Sequence, residues 1–231
     1  MTARTPAGSD GFAGYLASLA RSWEALAAPH DDAAVTRGDG FFAARFARHP
    51  VLNNAVLLDP ARVGDARAVF EGTGSYAIWS ADEPAGAALA AAGLRRDMTT
   101  VPMRADLAAL DEAPGPDDGV LVEVDPGVVA TICEVDDELL RDVPGLLAFA
   151  TAGHESCLVL LDAGDDVNVS FVETRPADRR RGLARAVLRR ALWEARRRGY
   201  ASASLQSTEM AETLYAGAGF VPVGRWQEWV P

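Results

Sequence analysis

The spacing of apolar residues along the chain predicts alternating helices and strands. Residues 11–28 carry Leu19, Trp23 and other apolar side chains at helical spacing, which predicts an amphipathic helix. A second helical stripe runs from Leu183 to Ala195 and leaves arginines on the opposite side. Short apolar or alternating runs predict strands at 53–58, 76–80, 99–103, 120–124, 156–161, 167–174, 201–205 and 221–230.

Proline and glycine mark where these elements begin and end. Pro60 opens a predicted helix that runs towards Phe70, and Gly93 closes another at 85–92. The part before residue 110 therefore has a strand–helix–strand–helix–strand pattern, with one or more helices ahead of it. The acidic segment 111–119, rich in proline and glycine, has the composition of a linker. We predict an N-terminal α/β region at 1–110 and a second α/β (α+β) domain at 118–231.

Composition is that of a soluble globular protein, with 49% hydrophobic and 24% charged residues. No apolar run reaches the roughly 18 residues that span a bilayer. The segment Met1–Asp10 lacks the pattern of a secretory signal. We therefore expect a cytoplasmic protein that does not insert into a membrane.

Cysteine and histidine are too scarce to suggest a metal centre. Cys133 and Cys157 are the only cysteines; they cannot build a disulfide framework, and small buried hydrophobes are the favoured interpretation. His30, His49 and His154 stand apart from one another and from acidic residues at ligand spacing. We expect no metal site and no histidine-based hydrolase site.

The charge is negative overall but strongly positive in one segment. The chain has a formal net charge of −11, whereas residues 175–198 hold ten arginines against Asp178 and Glu194. A general nucleic-acid binder would present a wholly basic face. An acidic protein with one arginine-dense stretch is more typical of a local anion site.

The sequence Arg179-Arg180-Arg181-Gly182-Leu183-Ala184 lies at the start of the second apolar helix. The first turn of a helix leaves N–H groups without partners, and its dipole favours an anion. Glycine at 182 lets a ligand approach the backbone, and arginines add forked donors for phosphate. The turn therefore predicts a pyrophosphate site. It is neither a P-loop, which needs Gly-Lys-Ser/Thr, nor the three-glycine dinucleotide motif.

Two segments together resemble the GNAT acetyltransferase superfamily. The first, 172–184, is similar to its coenzyme A motif Arg/Gln-x-x-Gly-x-Gly/Ala. The second, Ala211-Glu-Thr-Leu-Tyr-Ala-Gly-Ala-Gly-Phe220, is similar to its signature Ala-x-x-Leu-Tyr-x-x-x-Gly-Phe. Both occur in the family's order, and the resemblance covers 120–231 well. It implies a GNAT fold, with a central mixed twisted sheet flanked by helices, and acetyl-CoA as co-substrate.

The resemblance also implies a role for individual residues. The pantetheine arm would lie beside the end of the strand at 172–174, and the pyrophosphate would bind the N–H groups of 180–184. Tyr215 would act as the general acid that protonates the leaving thiolate. Thr208 stands where many relatives have an asparagine that contacts the coenzyme. The implied coenzyme residues are Val172, Glu173, Thr174, Arg179, Arg180, Arg181, Gly182, Leu183, Ala184 and Thr208.

Structural interpretations compete with some of these roles. Tyr215 could instead pack between helix and sheet. Glu173 is the nearest candidate for the general base, but a solvated or salt-bridged carboxylate is the favoured interpretation. The arginines beyond Arg181 favour a solvated helix face.

The N-terminal half carries a faint echo of the second domain. Residues 88–94 align with 214–220, so that Leu89 replaces Tyr215, and Asp59-Pro60-Ala61 aligns with Arg175-Pro176-Ala177. No arginine–glycine turn follows in the first half. We hypothesise a degenerate GNAT-like unit that shapes the acceptor cleft; an unrelated α/β cap is the alternative.

Three functions remain to be weighed. The favoured one is acyl transfer to a primary amine by direct attack in a ternary complex, because neither cysteine occupies a nucleophile signature. The alternatives are a non-catalytic acyl-CoA sensor and, weakest, a nucleic-acid binder. The acceptor would be a small molecule or a peptide amine, and dimers are frequent in the superfamily.

Overall fold

The computed structural model describes residues 9–110, 113, 115 and 118–231. Most of the predicted linker at 111–119 therefore lies outside the described residues. The helices are α1 (Ser9–Ala27), α2 (Val63–Ala68), α3 (Glu83–Ala91), α4 (Pro126–Cys133), α5 (Leu183–Arg197) and α6 (Glu212–Ala216). The strands are β1 (Ala33–Gly38), β2 (Phe41–Phe46), β3 (Asn54–Leu57), β4 (Ala77–Ser80), β5 (Arg95–Asp106), β6 (Val120–Val122), β7 (Leu146–Thr151), β8 (Ser156–Asp162), β9 (Asp166–Thr174), β10 (Ser202–Thr208), β11 (Val221–Pro222) and β12 (Trp226–Val230). No helix among these is long and apolar enough to cross a membrane.

The described strands form one mixed sheet. Its order is β1-β2-β3-β4-β12-β5-β10-β9-β8-β7-β6. Strand β11 pairs with the C-terminal end of β5, at Met103 and Arg104. Helix α5 covers one face, where Leu188 and Leu192 pack with Leu205 of β10 in a buried apolar cluster. Helix α1 covers the other face, where Tyr15 donates a hydrogen bond to Gln206 of β10. Neighbouring strand residues point to opposite faces, so the two helices sandwich the same part of the sheet.

Helix α5 forms where the apolar stripe predicts it. Its inward side chains, including Val187, Leu188 and Ala191, are fully buried. The helix begins after Gly182, which has φ of 83°, and ends before Gly199, which has φ of 96°. Both glycines take a left-handed conformation that other residues adopt only with strain. These two residues set the length of the helix that carries the candidate site.

The prediction of one or more helices ahead of the first predicted strand is met by a single α-helix among the described residues, and two strands there were not predicted. Helix α1 is confirmed, but a hairpin of β1 and β2 follows it, and β7 is another strand that the apolar pattern did not predict. Strand β2 is buried along almost its whole length, so it lacks the alternation that marks a half-exposed strand. The signal that could have found the hairpin is Asp39-Gly40, a dipeptide favoured in tight β-turns.

Two strands are exchanged between the two parts of the chain. Strand β5, from the N-terminal part, lies between β10 and β12 and pairs with β10 from Thr100 to Asp106. Strand β12, at the C-terminal end, lies between β4 and β5. The two parts are therefore separated along the chain but interleaved in the sheet. The division at 111–119 stays a prediction as far as independent domains are concerned.

The order of strands repeats in the two parts. Strands β1 to β4 pair antiparallel, antiparallel and then parallel, and β7 to β10 do the same. A helix then links β4 to β5, and another links β10 to β11 and β12. This repetition agrees with the hypothesis of a degenerate repeat, which remains a hypothesis.

The two aligned helix ends also share their hydrogen bonds. The Leu94 N–H donates to the Leu89 carbonyl at 3.1 Å, and the Phe220 N–H donates to the Tyr215 carbonyl at 3.1 Å. In both turns the residue before the donor is a glycine with positive φ. This is the hydrogen-bond pattern of a Schellman helix end. It supports the alignment that places Leu89 where the second part has Tyr215.

The exchange of strands predicts that the C-terminal part does not fold alone. We expect residues 118–231, produced without 1–110, to lack a cooperative urea transition, because removing β5 leaves β10 and β12 without their shared neighbour. Co-production with residues 1–110 should restore the transition of the full chain, measured by circular dichroism. Cooperative unfolding of 118–231 alone, at the midpoint of the full chain, would contradict this.

Candidate functional site

Strands β9 and β10 start side by side and then separate. They pair in parallel at three positions, from Asp166 with Ser202 to Asn168 with Ser204. Strand β9 continues to Thr174 and β10 to Thr208 without further pairing between them. Beyond these three positions, among the described strands, β9 pairs with β8 alone and β10 pairs with β5 alone. The backbone edges that face the gap are free to bind an extended ligand that carries amide groups.

A β-bulge bends β9 away from its neighbour. The register with β8 shifts between Cys157 and Val159, and Phe171 has φ of 53° at this place. A bulge adds a residue to one strand and increases its local bend. The residues predicted to flank the pantetheine arm, Val172 to Thr174, follow this bend at once. All three are half-buried beside the gap.

The chain then turns into α5 and leaves its first N–H groups bare. The first intrahelical hydrogen bond runs from the Ala186 N–H to the Gly182 carbonyl at 3.0 Å. No side chain caps the helix. Within the described residues, the N–H groups of 183–185 therefore have no acceptor. A Cβ atom added to Gly182 would meet no protein atom within 4 Å, so the space before the helix is open.

The three arginines of the turn differ in their partners. Arg179 donates to the Thr174 carbonyl at 3.0 Å and to Glu173 at 3.1 Å, which fastens the turn to the end of β9. Arg181 forms an ion pair with Asp178. Arg180 has positive φ, is exposed and has no ion-pair partner among the described residues. Arg180 is therefore the side chain of this turn that is free to meet an anion.

Glu173 is salt-bridged, as the favoured interpretation of the sequence expected. Its carboxylate accepts hydrogen bonds from Arg179 and from the Thr174 N–H, the latter at 2.9 Å. Both bonds tie this carboxylate to the turn between β9 and α5. The general base is therefore not identified by this arrangement.

Tyr215 lies on α6, close to the end of β9. Its ring packs edge to face on Phe220, with centroids 6.0 Å apart, and only 7% of the residue is exposed. Burial raises the pKa of Tyr215 to about 12, and the negative charge of Glu173 contributes to this rise. Within the described residues its hydroxyl has no hydrogen-bond partner. The phenol is therefore protonated at neutral pH and free to donate.

A cavity of about 690 Å³ lies along α5. Its size is in the range of small-molecule sites, 300–1,000 Å³. Arg185 and Arg189 line it and have no acidic partner among the described residues, and Trp193 adds an aromatic surface. The remaining lining residues are Ala109, Leu110, Leu192, Gly217, Ala218 and Gly219. The cavity thus combines unpaired positive charge with an aromatic ring, one helical turn beyond the bare N–H groups.

The arginines further along α5 are engaged with protein groups. Arg190 pairs with Asp118, Arg196 donates to the Leu110 carbonyl, and Arg198 bridges Glu123 and Glu194. Hydrogen bonds from Arg197 and Arg198 lower the pKa of Glu194 to about 2. These contacts hold the second half of α5 and its C-terminal end to Leu110, Asp118 and Glu123, at the junction of the two parts of the chain. They separate the structural arginines from the unpaired ones at 180, 185 and 189.

The remaining sequence-predicted residue, Thr208, ends β10 beside the gap. Its side chain is exposed and caps no helix. The sequence alone assigns Arg185 and Arg189 to a solvated helix face and gives Trp193 no role; in the structure both arginines are exposed and line the cavity with Trp193. The spacing of 185, 189 and 193, each four residues after the last, could have shown that these side chains share one face of α5.

The corresponding part of the first half has no such site. Strands β3 and β4 pair along their full length, which leaves no gap. The turn at Pro60–Arg62 is followed directly by α2, so no arginine–glycine segment is present. The Asp59 carboxylate accepts the Ala61 N–H at 2.9 Å and places a negative charge at this turn. An anion would be repelled here.

The structure is similar to solved structures of acetyltransferase folds. A GCN5-related N-acetyltransferase from Kribbella flavida is 18% identical, with a TM-score of 0.70 and 95% of each chain covered. A GCN5-related N-acetyltransferase-like protein from Streptococcus suis is 18% identical, with a TM-score of 0.59, over 94% of this chain and 98% of its own. A tandem GNAT protein from the clavulanic acid biosynthesis pathway is 15% identical, with a TM-score of 0.56, over 98% of this chain and 96% of its own.

No model of a protein family matches the sequence, and no curated protein matches it either. The likeness in structure covers nearly the whole chain, including the N-terminal part. It confirms the fold that the two sequence motifs implied, a mixed sheet flanked by helices. The chain has the fold of the GCN5-related N-acetyltransferases, the GNAT fold.

Proposed function

We propose that this protein is an acyl-CoA-dependent N-acyltransferase that uses acetyl-CoA and a primary amine. The observation that carries the proposal is the pairing of a strand gap with bare helix N–H groups. The gap between β9 and β10 opens beyond Asn168. Strand β9 ends at Thr174, and after the turn at 175–182 helix α5 begins at Leu183 without a side-chain cap. A pantetheine arm and a pyrophosphate are joined in this order in coenzyme A. Pantetheine amides suit the strand edge, and phosphates suit the helix start.

The reaction would be a direct transfer. The amine nitrogen attacks the thioester carbonyl carbon, the carbon–sulfur bond breaks, and the sulfur takes the proton of the Tyr215 hydroxyl. Tyr215 suits this step because burial keeps its proton in place at neutral pH. The amine proton leaves to a base that the present contacts do not identify.

The nucleotide end of the coenzyme would lie in the cavity along α5. Coenzyme A carries a phosphate on its ribose, and the unpaired Arg185 and Arg189 are suited to bind it. Trp193 offers its ring to the adenine. This assignment gives both unpaired arginines of the helix a partner.

The acceptor is proposed to be a small-molecule or peptide amine. The sequence outside 175–198 is strongly acidic, which favours the approach of a cation. A cytoplasmic location, expected from the sequence, and a homodimer, expected from the family resemblance, remain expectations.

The first test uses two glycines at opposite ends of α5. We expect Gly182→Ala to lose most acetyl-CoA binding by calorimetry and most thiol release with a panel of amines. A methyl group there would enter the open space before the helix. Gly199→Ala is the matched control, because Gly199 also has positive φ and open space around its Cα. It carries the same backbone strain and should bind coenzyme normally.

The outcomes separate the enzyme from a sensor. Undiminished turnover in Gly182→Ala would contradict the site, as would equal losses in both variants. Saturable acetyl-CoA binding without thiol release, across amines, peptides and antibiotics, would favour the non-catalytic sensor instead.

The second test addresses Tyr215. We expect Tyr215→Phe to lower kcat by about 10²-fold with little change in the KM for acetyl-CoA, since it removes only the proton donor. Because its pKa is about 12, the wild-type kcat should show no decline from this group up to about pH 10. A fall in kcat between pH 7 and 9 that disappears in the phenylalanine variant would contradict the assigned protonation state.

The third test compares acetyl-CoA with its analogue that lacks the ribose 3′-phosphate. We expect wild type to prefer acetyl-CoA by about tenfold in KM, since one charge-assisted contact is worth about 1.4 kcal/mol or more. The Arg185→Ala/Arg189→Ala variant should lose this preference. Arg197→Ala, which removes a paired arginine of the same helix, should keep it. A preference retained in the double variant would place the phosphate elsewhere.

A further inference from the structure

The two cysteines of the chain meet behind the bulge of β9. Cys133 is the last residue of α4, and Cys157 lies in β8, where it is fully buried. Their sulfur atoms are 3.7 Å apart, although 24 residues separate them in sequence. The sequence reading treated them as unrelated small hydrophobes. Their contact means that each thiol has the other as its nearest reactive partner.

Both thiols also contact the same backbone group. The Cys133 and Cys157 sulfurs lie 3.5 Å and 3.7 Å from the Phe171 carbonyl oxygen, which accepts from either. Phe171 is the bulge residue with positive φ, and Val172 to Thr174 follow it along the gap. The thiol pair is therefore joined to the stretch of β9 that forms one wall of the proposed acyl site.

We propose that Cys133 and Cys157 form a redox modification site, which a hydroperoxide converts to an intramolecular disulfide. One sulfur attacks the terminal peroxide oxygen, breaking the O–O bond and giving a sulfenic acid. The second sulfur then displaces the hydroxyl of that sulfenic acid to form the S–S bond. With hydrogen peroxide the products are one disulfide and two waters, which carry away both thiol protons.

Access and proximity suit this chemistry. Cys133 is partly exposed, so an oxidant reaches the pair from the α4 side. The hydrogen bond between the thiols lowers the pKa of Cys157 and raises that of Cys133. Cys157 therefore loses its proton more readily, and a peroxide reaches this buried sulfur by passing the partly exposed Cys133, 3.7 Å away. No cluster of metal-binding side chains is present among the described residues. Disulfides that form in cytoplasmic proteins, the location expected for this chain, are usually transient and catalytic or redox-sensing.

Oxidation would alter the wall of the gap. A disulfide brings the sulfurs to about 2.05 Å, which draws the end of α4 towards β8. It also removes the S–H groups, either of which can donate to the Phe171 carbonyl. This consequence rests on the proposed function: we expect about a tenfold loss of acyl transfer, because small displacements of a reacting group lower the rate strongly.

The test counts thiols before it measures activity. The full-length reduced protein is treated with hydrogen peroxide, denatured, and titrated for free thiols; intact mass and a peptide map are recorded. We expect two free thiols to fall to none, with a mass loss of two hydrogens and a linked peptide pair containing Cys133 and Cys157. Dithiothreitol should restore both thiols.

Single variants serve as controls. Cys133→Ser and Cys157→Ala each keep one thiol and should show neither the mass loss nor the linked peptides; alanine is chosen at 157 because this side chain is fully buried in an apolar cluster. Two free thiols after peroxide, sulfinic acids without a bridge, or disulfides only between chains would overturn the proposal.

Activity then separates the two hypotheses. Absence of turnover in the reduced protein would count against the proposed function but leave the thiol result standing. Turnover in the reduced protein that is unchanged after quantitative disulfide formation would overturn the link between this site and acyl transfer.

Discussion

The separation of β9 from β10 is the constraint on which the candidate site depends. Two parallel strands normally satisfy each other's backbone groups, and here they do so at only three positions. The separation is tolerated because β10 is paired with β5 along its whole length, and β9 is paired with β8. Strand β5 comes from the N-terminal part of the chain. The site in the second part therefore depends on a strand that the first part supplies.

Buried hydrogen bonds hold the wall of the gap on the β10 side. The Tyr15 hydroxyl of α1 donates to the Gln206 side-chain oxygen at 2.8 Å and accepts from the Trp226 indole N–H at 3.2 Å. The Gln206 amide donates to Thr100 at 2.8 Å. Burial raises the pKa of Tyr15, so its hydroxyl stays neutral within this network. The contacts join α1, β5, β10 and β12, and fix the strand against which the ligand would bind.

The two parts of the chain follow one strand order but differ at the position of the candidate anion site. In the first part, β3 and β4 pair along their full length, the Asp59 carboxylate lies at the turn after β3, and Leu89 stands in place of Tyr215. The second part opens the pair, leaves Arg180, Arg185 and Arg189 unpaired, and keeps the phenol. A few local differences thus give only the second of these two frameworks, within the described residues, the features on which the proposed coenzyme site rests, and the first contributes strands and a covering helix.

The sequence by itself determined most of the helices and strands and the arginine–glycine turn, because these features are local. The spacing of apolar residues predicts helix α5, and the glycine at 182 predicts the uncapped turn before it. Tyr215 is singled out by the resemblance of 211–220 to a family signature, which is also a short segment. The tertiary structure alone decided the exchange of β5 and β12, the contact of Cys133 with Cys157, and which arginines are unpaired. These depend on residues far apart in sequence, whose meeting is set by packing of the whole sheet. Strand β2 was not predicted, because both of its faces are buried and its sequence therefore lacks the alternation of apolar and polar residues that marks a half-exposed strand.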